Sequence, residues 1–400
     1  MRTHELTRRA FLRRSCGGVA GLAAGSLLGV PLPSLAALSY RNHQPDRMTY
    51  RRLGMTDMMV STVALGGVLN NSNWGVNIDE NPAPFEAVLE RLLDLGVNYF
   101  DTSATPGGSP NLGPFGADYQ SQDNYSWLCQ GARRDKVFIS TKVDVLDKTP
   151  ETVAQALSLM QTDHIDLVFG HYVDHSAIGG WTGPGQYSKL TTCYDALDAL
   201  GTGTVRYKGF TSHSPACCLD LLSRADVVER TDAIMGFCCP FDEWVYDNGT
   251  TISDWEPVYA KCVEQNVGFV AMKLLAGAVY PWHEWEPRNP DEPSRYRLND
   301  MASGANAETP PRVQPFVDQG YTKLQGCIRW GLTSYTGVNT AVIGMRTLAH
   351  AEENTAAMNP NITRADVERM IIDRKRSTGQ LYDTRGQQVR DRVRNYSYGL

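Results

Sequence analysis

Between residues 50 and 358, short apolar runs alternate with stretches whose apolar positions recur every three or four residues, the marks of buried strands and amphipathic helices. Residues 50–54 read as a hairpin arm and 60–67 as a first buried strand. Phe85, Val88, Leu89, Leu92 and Leu93 then repeat at helical spacing until Gly96 closes the turn. Further strands are predicted at 97–101, 137–142, 165–171, 207–211, 233–238, 268–272 and 340–343. Helices are predicted near 121–131, 150–160 and 188–200, from Pro215, over 253–265 and near 348–358. Strands alternating with helices in one unbroken run favour an α/β fold closed as a (β/α)8 TIM barrel over an open doubly wound sheet. No GxGxxG follows any strand, so the dinucleotide fingerprint of the open fold is absent.

Three of these strands end on ionisable side chains. The string Gly96-Val97-Asn98-Tyr99-Phe100-Asp101-Thr102 closes its apolar run with a carboxylate; residues 137–142 end on Lys142 and residues 165–171 on His171. The C-terminal strand ends of α/β folds form the face that carries chemistry. A buried lysine beside a carboxylate can have its pKa moved, and a nearby histidine can polarise a carbonyl or relay a proton. Taken singly, Lys142 reads equally well as the structural partner of Asp101, and His171 as a satisfied core histidine. All three at one end of one barrel favour an acid–base site.

The termini say where such a barrel works. Thr7-Arg8-Arg9-Ala10-Phe11-Leu12-Arg13-Arg14 is a twin-arginine pattern ahead of a Gly/Ala-rich apolar run, and Ser34-Leu35-Ala36 offers a small-x-small cleavage site. Residues 1–36 are therefore expected to be a signal peptide, 37–47 a polar linker, 48–360 the barrel and 361–400 a C-terminal extension. The apolar run is short for an uncut anchor, so no stable membrane anchor is expected. The expected location is periplasmic or secreted, with the twin-arginine export machinery as a partner; that route carries folded proteins, frequently with a cofactor already bound. Removing five Arg and one Glu takes the net charge from −6 to about −10. That acidic balance argues against nucleic-acid partners.

Nine cysteines include the neighbours Cys217-Cys218 and Cys238-Cys239 but no CxxC. Adjacent cysteines suit buried small apolar positions better than metal ligands, so no metal is expected; a disulfide among these four stays open. Residues 280–319, rich in Pro, Glu, Arg and Asn, interrupt the step from the seventh strand to its helix. Trp282 and Trp285 are costly to leave in water, so this insertion is expected to fold over the barrel mouth as a lid. Thr363, with Asp366 three positions on, predicts the capped start of an extra helix running to residue 376.

Over roughly residues 48–358 the chain resembles the aldo-keto reductases. The resemblance is carried by Tyr50-Arg51-Arg52-Leu53-Gly54 with Leu65-Gly66-Gly67; by residues 96–102 and 134–142; by Thr162-Asp163-His164-Ile165-Asp166 running on to His171; by Val205-Arg206-Tyr207-Lys208-Gly209-Phe210; by Ala271-Met272-Lys273; and by Val342-Ile343-Gly344-Met345-Arg346 with Asn354. It implies a (β/α)8 barrel, a nicotinamide cofactor (NADP or NAD) extended across the strand ends, and reduction of a small-molecule carbonyl by hydride transfer. The family's Asp, Tyr, Lys, His tetrad implies roles for Asp101, Lys142 and His171: the Asp–Lys pair lowers the pKa of a proton-donating tyrosine, and the histidine orients the carbonyl. Five positions after the Asp, where the tyrosine belongs, stands Pro106, which has no proton to give. Tyr119 or Tyr125 could fill the vacancy; failing both, water or a substrate group must act. General acid catalysis typically contributes about 10²–10⁴-fold, so the departure is a serious one.

The same resemblance assigns the cofactor contacts. Gly344, Arg346 and Asn354 match the site for the adenosine phosphate, with Arg346 against a 2′-phosphate at a helix N-terminus. Thr211, Ser212 and either Met235 or Gly236 stand where relatives grip the nicotinamide amide, Met272 and Lys273 match a pyrophosphate-region segment, and Gly67 closes the first strand. The cysteine-cluster tail of some relatives is absent, so no iron–sulfur centre is expected. Two functions follow. One is an exported nicotinamide-dependent oxidoreductase acting on a carbonyl or alcohol, such as a sugar, with its cofactor loaded before export because free NADP(H) is scarce outside the cytoplasm. The other is a redox-inactive barrel that binds a carbohydrate-like ligand, with Trp181, Trp282 and Trp285 as stacking faces. Retention of Asp101, Lys142 and His171 favours the first.

Overall fold

A computed structural model describes residues 38–67, 82–103, 122–174, 186–240, 252–275, 309, 311–345, 348–363 and 366. The described chain enters through an antiparallel hairpin, β1 (Tyr50–Arg52) with β2 (Met59–Ser61). There follow β3 (Val63–Gly66), β4 (Tyr99–Asp101), β5 (Phe138–Val143), β6 (Ile165–Gly170), β7 (Val205–Thr211), β8 (Ala233–Phe237), β9 (Gly268–Met272) and β10 (Thr340–Ile343). Each pairs in parallel with the next, and β10 pairs with β3 to close the barrel. Outside it run α1 (Pro82–Asp94), α2 (Thr149–Met160), α3 (Leu190–Leu200), α4 (Pro215–Ser223), α5 (Ala225–Val228), α6 (Ile252–Gln265), α7 (Gln314–Asp318), α8 (Lys323–Thr333) and α9 (Leu348–Ala356). This is the (β/α)8 barrel that the alternating pattern predicts.

Period-two alternation sorts the strand side chains. Tyr99, Phe138, Leu167, Phe169, Ala233, Met235 and Val270 fill the interior, and Leu53, Met58 and Val60 of the hairpin plug its N-terminal end. Phe100, Ile139, Val168, Phe210, Ile234 and Phe269 face the helices. Burying each such side chain stabilises the fold by roughly 1.5–3 kcal/mol. Gly209 on β7 has no room for more: a Cβ there would lie 1.8 Å from the carbonyl oxygen of Ala233. Gly96, at φ +84°, makes the predicted turn between α1 and β4.

The structure departs from the sequence reading in several places. The run at 60–67 breaks at Thr62, whose N–H donates to Thr49 O (2.9 Å), so its first part belongs to the hairpin and only Val63–Gly66 joins the barrel. No α-helix forms over the described residues 122–131. The chain makes 3-10 turns at Asp123–Tyr125 and Gly131–Lys136, because Gln130 is extended and Gly131 is left-handed at φ +54°. The described part of the 37–47 segment is not a free tether. Asn42 Nδ2 donates to the carbonyls of Leu93 (2.8 Å) and Val97 (3.0 Å), groups left over where α1 ends, and Arg41 Nη1 reaches Val137 O at 2.5 Å. Of the 280–319 insertion, residues 314–318 form α7, which docks on α8 in the outer layer through buried Val313; Trp282 and Trp285 lie outside the described residues.

Beyond α9, Asp366 Oδ2 accepts from Thr363 N (3.1 Å) and Oγ1 (2.6 Å), while Asp366 N returns a bond to Thr363 Oγ1 (3.2 Å), the bonds expected of the predicted cap; the rest of the helix predicted to run to residue 376 lies outside the described residues. The cysteines from Cys129 to Cys327, including the four in adjacent pairs, are separate buried thiols. Burial pushes Cys129 and Cys193 up to about 11 and Cys238 up to about 12, which keeps them protonated and inert. Among the described residues no helix is long and apolar enough to cross a membrane, and no cluster of His, Cys, Asp or Glu could hold a metal ion.

Candidate active site

The register of β4 against β5 sets Asp101 opposite Ser140, and alternation turns Asp101, Ser140 and Lys142 to the barrel axis. Lys142 Nζ lies 2.5 Å from Asp101 Oδ2 and 3.0 Å from Thr102 O. Ser140 Oγ donates to Asp101 Oδ1 at 2.7 Å and accepts from Tyr99 Oη at 2.9 Å. Asp101 and Lys142 are both buried, at 5% and 7% exposure. A pair this dry survives only because hydroxyl and carbonyl partners complete it. Burial, and then the charge of Asp101, push the Tyr99 phenol well above its ordinary range, so it stays a neutral donor.

His171 follows β6, its N–H donating to Val143 O at 2.9 Å. Its ring Nδ1 is bonded to the carboxylate of Asp144, a residue the sequence reading missed. The signal was present: Asp144 stands two positions after Lys142, so the same alternation carries it toward the same end. Gln186, also missed, ties the two backbones together, since its Nε2 donates to Asp144 O (2.8 Å) and His171 O (3.0 Å).

Next in the chain, Tyr172 is left-handed at φ +58°, a costly conformation for a bulky residue. Thr211 holds the turn, its Oγ1 accepting from Tyr172 N (3.0 Å) and its carbonyl from Val173 N (2.8 Å). The Tyr172 ring meets His213 edge-on at 4.7 Å between centroids. Lys273 Nζ sits 3.4 Å from His213 Nε2 and 4.5 Å from the centroid of Phe237. Burial first, then the charges of Lys273 and His171, hold the His213 imidazole well below its usual pKa, so it is neutral near pH 7.

Of the other predicted residues, Tyr125 is buried in the layer between barrel and helices, its Oη donating to the Asp101 carbonyl at 3.0 Å and its ring edge-on to Phe100. The Thr211 hydroxyl serves the Tyr172 turn, and Ser212 Oγ donates to buried Asp174 Oδ1 at 2.5 Å, so both hydroxyls serve the protein itself. Met235 faces the interior, whereas a Cβ on Gly236 would strike Trp255 at 2.3 Å, which points Gly236 toward the helices. Gly67 is buried at the end of β3, and Met272 and Lys273 stand together at the end of β9. Pro106, Tyr119, Trp181 and Arg346 lie outside the described residues.

Two features of the β10–α9 side are of the kind that a phosphate-bearing cofactor such as a nicotinamide dinucleotide would use. Asn354 is 1% exposed, yet neither its amide nitrogen nor its oxygen has a partner among the described residues. An unpaired buried amide costs about 1–3 kcal/mol, which a bound polar ligand relieves. Gly344, just past β10, has no described heavy atom within 4 Å of where a Cβ would stand, which leaves room for a phosphate.

The profile of the aldo/keto reductase family matches residues 62–372 of this chain. The chain belongs to the aldo-keto reductases. Members of this family use NAD(P)H. The chain is similar to L-glyceraldehyde 3-phosphate reductase of Escherichia coli (strain K12), 23% identical over 373 residues that cover 84% of this chain and 96% of that protein. It is 32% identical over 144 residues to an uncharacterized oxidoreductase, YrpG, of Bacillus subtilis (strain 168), a stretch spanning 41% of that protein's length. In fold it is similar to the aldo-keto reductase AKR11C1 from Bacillus halodurans, with a TM-score of 0.51 at 20% identity, covering 82% of this chain and 96% of that one.

Proposed function

We propose that this aldo-keto reductase is an exported oxidoreductase that interconverts a carbonyl and an alcohol on a small, sugar-like substrate with NADP(H) or NAD(H) as the hydride partner. The observation that carries the reading is the buried Lys142–Asp101 pair at the C-terminal end of the barrel, with His171 on the neighbouring strand end. A binding scaffold gains nothing from burying such a pair, whereas a carbonyl whose oxygen becomes negative needs a fixed cation and a proton source nearby. Asn354 and Gly344 would hold the adenosine phosphate end of the cofactor, and Lys273 its pyrophosphate region. Bound there, a reduced nicotinamide supplies the hydride. Asp101, held by Ser140, fixes the Lys142 ammonium beside the substrate oxygen, and His171 orients that oxygen.

The small hydroxyaldehyde named for the Escherichia coli relative supports a polar, sugar-like substrate. The twin-arginine pattern at Arg8-Arg9 supports export, with the cofactor loaded beforehand. The test is to denature protein purified from the exported fraction and assay released nicotinamide, then to follow NAD(P)H oxidation with small aldoses and aldehydes. A protein that carries no nicotinamide and neither binds nor oxidises added NADPH or NADH sinks the reading, and leaves the carbohydrate-binding barrel, for which Pro106 at the tyrosine position is the best argument.

A further inference from the structure

We propose that Asp144 and His171 form a proton-transfer dyad, in which His171 rather than a tyrosine gives the proton to the substrate oxygen and Asp144 is the positioning residue behind it. The proposal rests on the oxidoreductase function proposed above and assigns its missing acid.

The geometry is built in from three directions. Parallel pairing sets Val143 opposite Gly170, so the next residues on each strand, Asp144 and His171, leave β5 and β6 side by side. The Asp144 carboxylate takes the Nδ1 edge of the ring, and one Gln186 amide spans both main-chain carbonyls, fixing their separation. The side chains are only partly covered, 14% exposed for Asp144 and 29% for His171, which lets the ring exchange protons with water. Nε2, on the far side of the ring from Asp144, has no hydrogen-bond partner among the described residues. Around the ring stand Asp144 from the β5 loop, Tyr172 on the same turn, and His213 from the end of β7, which burial keeps uncharged. Further down β5, the charge of Lys142 is balanced by Asp101. The carboxylate facing the ring is therefore that of Asp144, placed to hold Nδ1–H and to stabilise an imidazolium.

In the reductive direction the carbonyl carbon gains a hydride and its π electrons pass to oxygen. The Nε2–H bond breaks as the O–H bond forms, leaving a neutral ring still hydrogen-bonded to Asp144; water then returns a proton to Nε2. Oxidation of the alcohol is the reverse, with the neutral ring as base.

The experiment compares wild type with Asp144→Asn, Asp144→Glu and His171→Gln in two ways. Steady-state reduction of a small aldehyde should show kcat falling by about 10²-fold in Asp144→Asn, with KM changed less than about threefold, and recovering to within about tenfold of wild type in Asp144→Glu. Nitrogen-resolved imidazole NMR of the protein without added cofactor, assigned with His171→Gln and recorded where the ring is neutral after giving up its Nε2 proton, should show the remaining wild-type His171 proton on Nδ1 and its redistribution to Nε2 in Asp144→Asn. An Asp144→Asn protein that keeps kcat within about twofold of wild type, or a His171 tautomer that ignores the substitution, overturns the proposal. A wild type that shows the Nδ1 tautomer but oxidises no reduced nicotinamide overturns the function and the acid role together; an active wild type with an indifferent Asp144→Asn overturns the acid role alone.

Discussion

Two carboxylates are buried at opposite ends of this barrel, and they are used in opposite ways. Asp166, near the N-terminal end, is wholly enclosed and saturated: Oδ1 meets Arg206 Nη1 (2.6 Å) and Arg41 Nη1 (3.1 Å), and Oδ2 meets Arg134 Nη2 (2.9 Å) and the N–H of Ile139 (3.0 Å). Burial pushes its carboxyl up, but Arg134, Arg41, the Ile139 N–H and Arg206 together outweigh it and hold the group below the usual carboxylate range. Asp101, at the other end, has one lysine and one serine hydroxyl, and that lysine gives a further bond only to the Thr102 carbonyl. The first arrangement locks strands to the N-terminal segment, whereas the second leaves a cation poised. Barrels of this kind keep stability at the bottom and chemistry at the top, and here the number of guanidinium partners draws the line.

The comparison breaks most decisively at the top. Lys142→Met should lower kcat for carbonyl reduction by about 10³-fold while cofactor binding, measured by fluorescence quenching, stays within about threefold. At the bottom, Asp166→Asn removes the one buried charge that three guanidiniums share, leaving Arg206 its pair with Asp57 and Arg41 and Arg134 only carbonyl and hydroxyl acceptors, and should cost about 3–5 kcal/mol in urea unfolding while leaving KM unchanged in the folded fraction. The same residue gives a pH signature. Its folded-state pKa lies below the ordinary 3.8, so its contribution is present at neutral pH and is lost as acidification proceeds from about 4 downward; the gap between wild type and Asp166→Asn should shrink across that window. A gap that stays constant down to strong acid would mean that the guanidiniums do not depress Asp166. The smallest effect belongs to Ser140→Ala, which removes the hydroxyl between buried Tyr99 and Asp101: about 1–3 kcal/mol of stability and a few-fold loss in kcat.

Most of the architecture was legible because strand and helix periods differ so plainly, and the strand ends at Asp101, Lys142 and His171 fell where those periods placed them. What was illegible depended on contacts far apart in sequence. The polar run around Arg41 and Asn42 looks like a tether, yet it answers carbonyls at Leu93, Val97 and Val137, which no local pattern announces. Likewise, Thr211 and Ser212 occupy the positions expected of cofactor ligands, but their hydroxyls are drawn to Tyr172 N and Asp174, a demand created by the turn after β6. Asp144 lay in plain sight two residues beyond Lys142; only the pairing of β5 with β6 brings it to His171.

The most direct test of the contrast between the two ends is hydride transfer itself, read as the loss of reduced-nicotinamide absorbance with a small aldehyde for wild type and Lys142→Met side by side. The account predicts steady oxidation by wild type and a rate about 10³-fold lower for the variant at equal cofactor occupancy. A variant as fast as wild type, or a wild type that binds the cofactor and never oxidises it, would contradict it.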